Sequence, residues 1–346
     1  MKPTRHGSRR RRAFLIFPLF ILPLLLVAPS PPGAADAARQ ISERQIQEAT
    51  AQTSPGDAGG LKFTVTVTGA KGGFITGLTR DDFSVWEGKT RREINYFYGE
   101  ETPASVGVLI DVSGSVRPRT LADAKYAVTK FVELGHPANE YSLGEFNHGR
   151  RALTGWTRDA QQVLRGLDKL AVRPDAPQPK PKPGGQTAFY DACAAALDGF
   201  AGRPHPKYVL LLITDAEDNS SRHTFTQLRR KVQESNVQIY GLGLSERNGV
   251  EVGLSVTGQA ILDELAGNSG GIAYFPDDKK SLDEMVERIA VELRYQYVVG
   301  FAPTNAAPGG KWNKVKIKVT PAGASSKDWN ARSREGYFSP PPPPAP

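Results

Sequence analysis

The chain has 346 residues, 39% of them hydrophobic and 23% charged, a balance that excludes wholesale disorder and leaves length for a packed core, on size priors in two domains. The formal net charge is +8, but residues 1–37 carry Lys2, Arg5 and Arg9 to Arg12 against Asp36, a net +5 that leaves the remainder at +3. So mild an excess requires no polyanion partner, and no nucleic acid is expected. Cys193 is the only cysteine, which excludes an intramolecular disulfide, and the five histidines (His6, His136, His148, His205, His223) lack metal-ligand spacing, so zinc chemistry is unsupported.

In chain order, a basic region ending at Arg12 precedes an apolar run from Ala13 to Val27 and the small residues Ala35-Asp36-Ala37. This is the pattern of an export signal cut after Ala37, which implies a periplasmic or secreted protein without a membrane span in the mature chain. Arg11-Arg12-Ala13-Phe14-Leu15 resembles a twin-arginine signal, while the apolar run suits the general secretory route equally. Retention as an anchor is the alternative, for a segment that is short and interrupted by Pro18 and Pro23. Residues 38–60 read as a flexible lead-in.

A β-rich flank follows over 61–102. Leu61 to Thr68 alternates with period two, Gly69 to Gly73 is a turn, and Phe83 to Lys89 and Glu93 to Tyr98 read as further strands. These are too few for a stable sheet. The complement lies at the other end, over 294–339, where Tyr295 to Phe301 has β character and Lys314 to Thr320 alternates Lys with Val and Ile. The two flanks are expected to form one discontinuous β domain, a small sandwich, with a polyproline II tail at 340–346.

Between the flanks, over 103–293, strands and helices alternate as a parallel sheet requires. Val106 to Ile110 is a near-continuous apolar run, the signature of a strand buried on both faces, and it ends in Asp111-Val112-Ser113-Gly114-Ser115. The spacing predicts a helix over 119–134, a hairpin of 141–146 and 151–156 around Asn147-His148-Gly149, helices over 160–170 and 188–200, and a strand from Tyr208 ending at Ile213 just before Asp215. Further on it predicts a helix over 226–235, a strand over 237–244, a helix over 259–267, a strand over 272–275 and a helix over 281–293. The proline- and lysine-rich loop Val172 to Pro183 leads into Gly184-Gly185-Gln186-Thr187. In open α/β sheets ligands bind beyond the carboxyl ends of strands, where Asp111, Ser113, Ser115 and Asp215 fall; Asp111 is expected to sit at a strand end outside the core.

Asp111-x-Ser113-x-Ser115, the loop holding Thr187 and the strand delivering Asp215 together resemble the metal-ion-dependent adhesion site of von Willebrand factor type A domains. Gly77 to Phe83 and Arg334 to Phe338 resemble features of bacterial exported proteins that carry such a domain. The resemblance implies an α/β fold with a doubly wound, mostly parallel, Rossmann-like sheet, inserted in the smaller β-rich domain. It also implies a metal site of Asp111, Ser113, Ser115, Thr187 and Asp215. Hydroxyls and carboxylates are hard ligands suited to Mg2+ or Mn2+. Two carboxylates balance a divalent ion, which stays electrophilic enough to take an acidic side chain of a protein partner, as the family does. The bland reading has Asp111 and Ser113 capping a turn and Thr187 serving as an N-cap. A second function is that of a structural envelope component whose metal only stabilises the fold. No Gly-x-Ser-x-Gly elbow, phosphate loop or placed general base is present, so no enzyme is expected.

Overall fold

The computed structural model describes residues 60–171, 187–244, 255–303, 310–320 and 329–339. The signal, the lead-in, the loop 172–186 and the proline tail therefore lie outside the described residues.

The central unit is a six-stranded sheet of β5 (Ala104–Asp111), β6 (Glu140–Phe146), β7 (Arg150–Thr157), β8 (Lys207–Ile213), β9 (Val237–Leu242) and β10 (Ala273–Tyr274). Its order is β10-β9-β8-β5-β6-β7, parallel except for β7, which returns from β6 as the expected hairpin. Helices α1 (Pro118–Leu134), α2 (Ala160–Leu167) and α6 (Lys279–Arg294) cover one face, and α3 (Phe189–Asp198), α4 (Phe225–Glu234) and α5 (Val256–Ser269) cover the other. The apolar stripe of α1 (Leu121, Ala124, Ala127, Val128, Phe131) is buried against β5 and α6, as its 3.6-residue period dictates. The strand order reverses direction between β5 and β8, so the crevice at their carboxyl ends is the topological switch point, the place where open α/β sheets bind ligands.

The flanks build two four-stranded antiparallel sheets with a common core. One is β13-β1-β11-β4, from β1 (Leu61–Gly69), β4 (Tyr96–Tyr98), β11 (Tyr297–Phe301) and β13 (Trp329–Arg332). The other is β14-β12-β2-β3, from β2 (Phe83–Glu87), β3 (Thr90–Arg92), β12 (Trp312–Val319) and β14 (Gly336–Phe338). Phe63, Val65, Phe83, Tyr297, Phe301 and Ile317 fill the space between them. Both β1 and β2 pair directly with C-terminal strands, so neither terminal segment could complete its sheet alone.

Two expectations need correcting. Of Glu93 to Tyr98 only Tyr96–Tyr98 is a strand, and it pairs in the opposite sheet, while an additional strand before it, Thr90–Arg92, folds back on β2 across the turn at Gly88, whose φ of 58° suits glycine. Ile94 is buried in the sandwich core at this crossing, which removes the chain from either ladder. The strand Trp329–Arg332 was not foreseen; its half-exposed residues lack an alternating apolar signal.

The insertion enters and leaves through one clamp. Glu101 N–H donates to the Arg294 carbonyl at 2.7 Å, and the Arg294 guanidinium returns to the Glu101 carboxylate at 2.9 Å. Deeper in the junction, the buried Glu292 carboxylate of α6 accepts from Thr66 Oγ1 at 2.9 Å, from Tyr240 OH and from Arg332. This one acid ties α6 and β9 to β1 and β13.

Candidate metal centre

Asp111 is the last residue of β5, and its carboxylate is held from both sides. Ser113 N–H donates to Oδ1 at 2.9 Å, and Thr214 Oγ1, from the end of β8, donates to Oδ2 at 2.7 Å. Asp111 is only 2% exposed, against the expectation that a strand-end residue stands outside the core: the loops after β5 and β8 close over it. Burial first, and the charge of Asp215 second, push its carboxyl up to about 7, against smaller opposing effects of the Ser113 and Thr214 hydrogen bonds.

Ser113 is buried and Ser115 exposed, with their hydroxyl oxygens 3.0 Å apart. Neither caps α1, whose N-cap is Arg117 without a side-chain bond. Asp215 stands two residues beyond β8 and its Oδ1 accepts from Glu217 N–H at 3.1 Å. The loop turns sharply at Ala216, buried with a φ of 58°, a strained conformation for a residue with a Cβ. Gly258, in the first turn of α5, makes room for this bend, since a Cβ there would stand 2.2 Å from the Asp215 carbonyl oxygen.

Thr187 reaches the same end of the sheet through its backbone. Its N–H donates to Asn219 Oδ1 at 2.9 Å and its carbonyl accepts from the N–H groups of Asn219 and Ser220 at 3.0 and 3.1 Å. The next residue, Ala188, donates to the Asn147 carbonyl at 2.7 Å, while Val112 N–H donates to that of Phe146 at 2.9 Å. The 187–188 segment is thus wedged between the β6–β7 turn and the loop after β8, which also carries Asp215. Thr187 is not the N-cap of α3; Ala188 holds that position with no side-chain cap. The capping explanation therefore fails for Thr187 and holds for the turn that Asp111 makes with the Ser113 N–H.

Three supporting residues escaped sequence reasoning. Thr214 orients Asp111, Asn219 holds Thr187, and Asp191 of α3 accepts from the N–H groups of Arg222 and His223 at 3.0 and 2.9 Å, fixing the far side of the loop. Thr214 carried a usable signal, a hydroxyl directly before the strand-end aspartate. The other two act across 32 and about 31 residues of sequence and carried none.

Among the described residues Asp111 has only neutral donors for partners, and the charge that bears on it, that of Asp215, has the same sign. Two adjacent carboxylates bordered by hydroxyl residues form a hard-oxygen donor set whose repulsion a divalent cation relieves, so the residues present fit such an ion.

The family model for the von Willebrand factor type A domain matches residues 106–217. Comparison with curated proteins gives no match. Among solved structures, the chain is similar to an aerotolerance-related membrane protein from Bacteroides fragilis at 19% identity and a TM-score of 0.42, over 55% of this chain and 99% of that one. It is similar to a von Willebrand factor type A protein from Catenulispora acidiphila at 14% identity and a TM-score of 0.44, over 83% of this chain and 74% of that one. A third is proximal thread matrix protein 1 from mussel byssus with a zinc-occupied MIDAS motif, at 14% identity and a TM-score of 0.43, over 56% of this chain and 48% of that one.

Proposed function

Since residues 106–217 carry a von Willebrand factor type A domain, we propose that this chain is an exported, metal-ion-dependent protein-binding module, adhesion-type in its chemistry, that engages an acidic residue of a partner protein. The observation behind this reading is the burial of Asp111 beside the charge of Asp215 at the switch point, with only neutral hydrogen-bond donors to Asp111 among the described residues. Asp111, Ser113, Ser115, Thr187 and Asp215 would hold Mg2+ or Mn2+, which when bound supplies an electrophilic centre open to a carboxylate.

The chain's own residues set the conditions. Thr214 and the Ser113 N–H fix the Asp111 carboxylate, so it needs little reordering to serve as a ligand. Two carboxylates match the charge of one divalent ion and the hydroxyls add none, which leaves the centre receptive to a further anion. The bend at Ala216 and the Asn219 bonds bring the Asp215 and Thr187 loops to one place on strained but well-held backbone.

Export rests on the basic, apolar and small-residue order of residues 1–37. No helix among the described residues is long and apolar enough to cross a membrane. The reading takes no enzymatic step.

The test is capture of a partner from the envelope fraction of the source on the immobilised full chain, in Mg2+ and in chelator. A partner held in Mg2+ and released by chelator, with circular dichroism unchanged, is the expected result. Retention after complete metal removal would make the metal a stabiliser and the protein a structural envelope component.

A further inference from the structure

Strand β12 runs inside its sheet, between β14 and β2. Val315, Ile317 and Val319 face the sandwich core, while Lys314, Lys316 and Lys318 are exposed on the opposite face. The register places Trp86 beside Lys316, Ser84 beside Lys318 and exposed Arg91 beside Trp86, so all share that face. No outward position of β12, β2 or β3 is a carboxylate, and none of the four cations forms an ion pair among the described residues.

The usual reasons for surface lysines do not account for this arrangement. Lysine guards edge strands against unwanted pairing, but β12 is internal. Solubility is served by mixed signs, whereas this face has one. Alternate side chains on a strand stand about 7 Å apart, so the three lysines form a row of like charges over about 14 Å with no carboxylate partner among the described residues. Beside edge strand β3 the face continues into a cleft of about 640 Å³, where Ser84 and Arg91 are joined by Arg80, with Asp81 and Glu93 also on its wall.

We propose that this face binds a linear phosphodiester polymer that carries no bases. Charge complementarity calls for an anion, and a straight row of cations leading to a cleft fits a chain of repeated charges better than a single small ion. A bilayer is disfavoured because the large exposed apolar residues among those described, Leu134 and Val256, lie elsewhere, so nothing on the face would insert. Single-stranded nucleic acid is disfavoured because bases stack on free aromatic rings. The Trp86 ring is half-buried and carries Lys318 Nζ 5.3 Å from its centroid.

The experiment follows labelled poly(glycerol phosphate) by fluorescence anisotropy with the full chain between 50 and 200 mM salt. Neutralising four phosphates predicts a slope of log K against log salt of about −3. The triple variant Lys314→Gln, Lys316→Gln, Lys318→Gln should bind at least about tenfold more weakly at the lower salt, with a slope near −1. Should the triple variant fail to fold, Lys316→Gln alone should reduce the slope by about 0.7. Absence of binding, or binding that these variants leave unchanged, overturns the proposal. So does equal or tighter binding of an oligonucleotide of matched charge or of vesicles containing phosphatidylglycerol. Chelator and Asp111→Asn should leave polymer binding unchanged; a loss with either would move the polymer to the metal centre and likewise overturn it.

Discussion

Two buried acids lie at different places in this molecule and are treated in opposite ways. Glu292, at the junction of the central sheet with the sandwich, is 1% exposed and surrounded by donors: the Arg332 guanidinium, Tyr240 OH and Thr66 Oγ1. Asp111, at the carboxyl end of β5, is 2% exposed, receives only neutral donors among the described residues and feels a second carboxylate. A buried charge is tolerated when paired, so Glu292 is compensated within the protein and serves the fold. Asp111 has no such compensation among the described residues, and its proposed role as a metal ligand rests on that difference.

The largest effect that sharpens this contrast is expected at the junction. Arg332→Ala leaves Glu292 buried without its cation and should cost about 3–5 kcal/mol in urea unfolding, with much of that recovered when Glu292→Gln is added. A loss below about 1 kcal/mol would show that the tyrosine and threonine hydroxyls suffice, and would erase the distinction from Asp111.

At the other acid, Asp111→Asn should alter stability in chelator by less than about 1 kcal/mol, because it removes an uncompensated charge and keeps the shape. The parent should gain about 2.7 kcal/mol at Mg2+ a hundredfold above its Kd, and the variant should gain nothing at that concentration. Melting curves with and without Mg2+ read both. A variant that gains as much as the parent removes Asp111 from the centre.

His205 tests the rule on a group that no outside ion relieves. It is buried, its Nε2 lacks a hydrogen-bond partner among the described residues, and burial with the nearby charges of Arg158, His136 and Lys207 holds its pKa down to about 4. The unfolded chain takes up a proton near 6.5, so the stability held above that pH should fall as pH drops from about 6.5 to 4, by on the order of 2 kcal/mol. In His205→Gln this part of the pH profile should flatten; an unchanged profile would assign the acid sensitivity to other groups.

The smallest effect is reserved for Thr187. Its hydroxyl brings no charge, so Thr187→Ala should weaken Mg2+ by about tenfold or less, about 1.4 kcal/mol, while partner affinity falls further. Calorimetry on the one variant reads both, and equal losses would confine Thr187 to holding metal.

Much of the fold was legible because its signals are local. Val106 to Ile110 reads as a strand buried on both faces, and the stripe of α1 gives its period directly. Glu93 to Tyr98 reads as one strand from sequence because β character is shared by strands of either sheet, and the crossing at Ile94 depends on which core receives it. At the centre, Asp111, Ser113 and Ser115 lie within five residues and can be read together, whereas the Asn219 and Asp191 contacts join segments about thirty residues apart.

Residue type and spacing by themselves determined the alternation of strands and helices, the flanking β segments, and hard-oxygen side chains at the strand ends. Tertiary structure alone decided that Asp111 is buried, that Glu292 finds Arg332 forty residues on, and that Arg91 joins the face on which the alternation of β12 already puts three lysines. The modest net charge gave no hint of that face, since a sum over the chain discards position. The reason is common to all three: burial and charge balance are properties of a side chain's neighbours, and chain closure between distant segments chooses those neighbours.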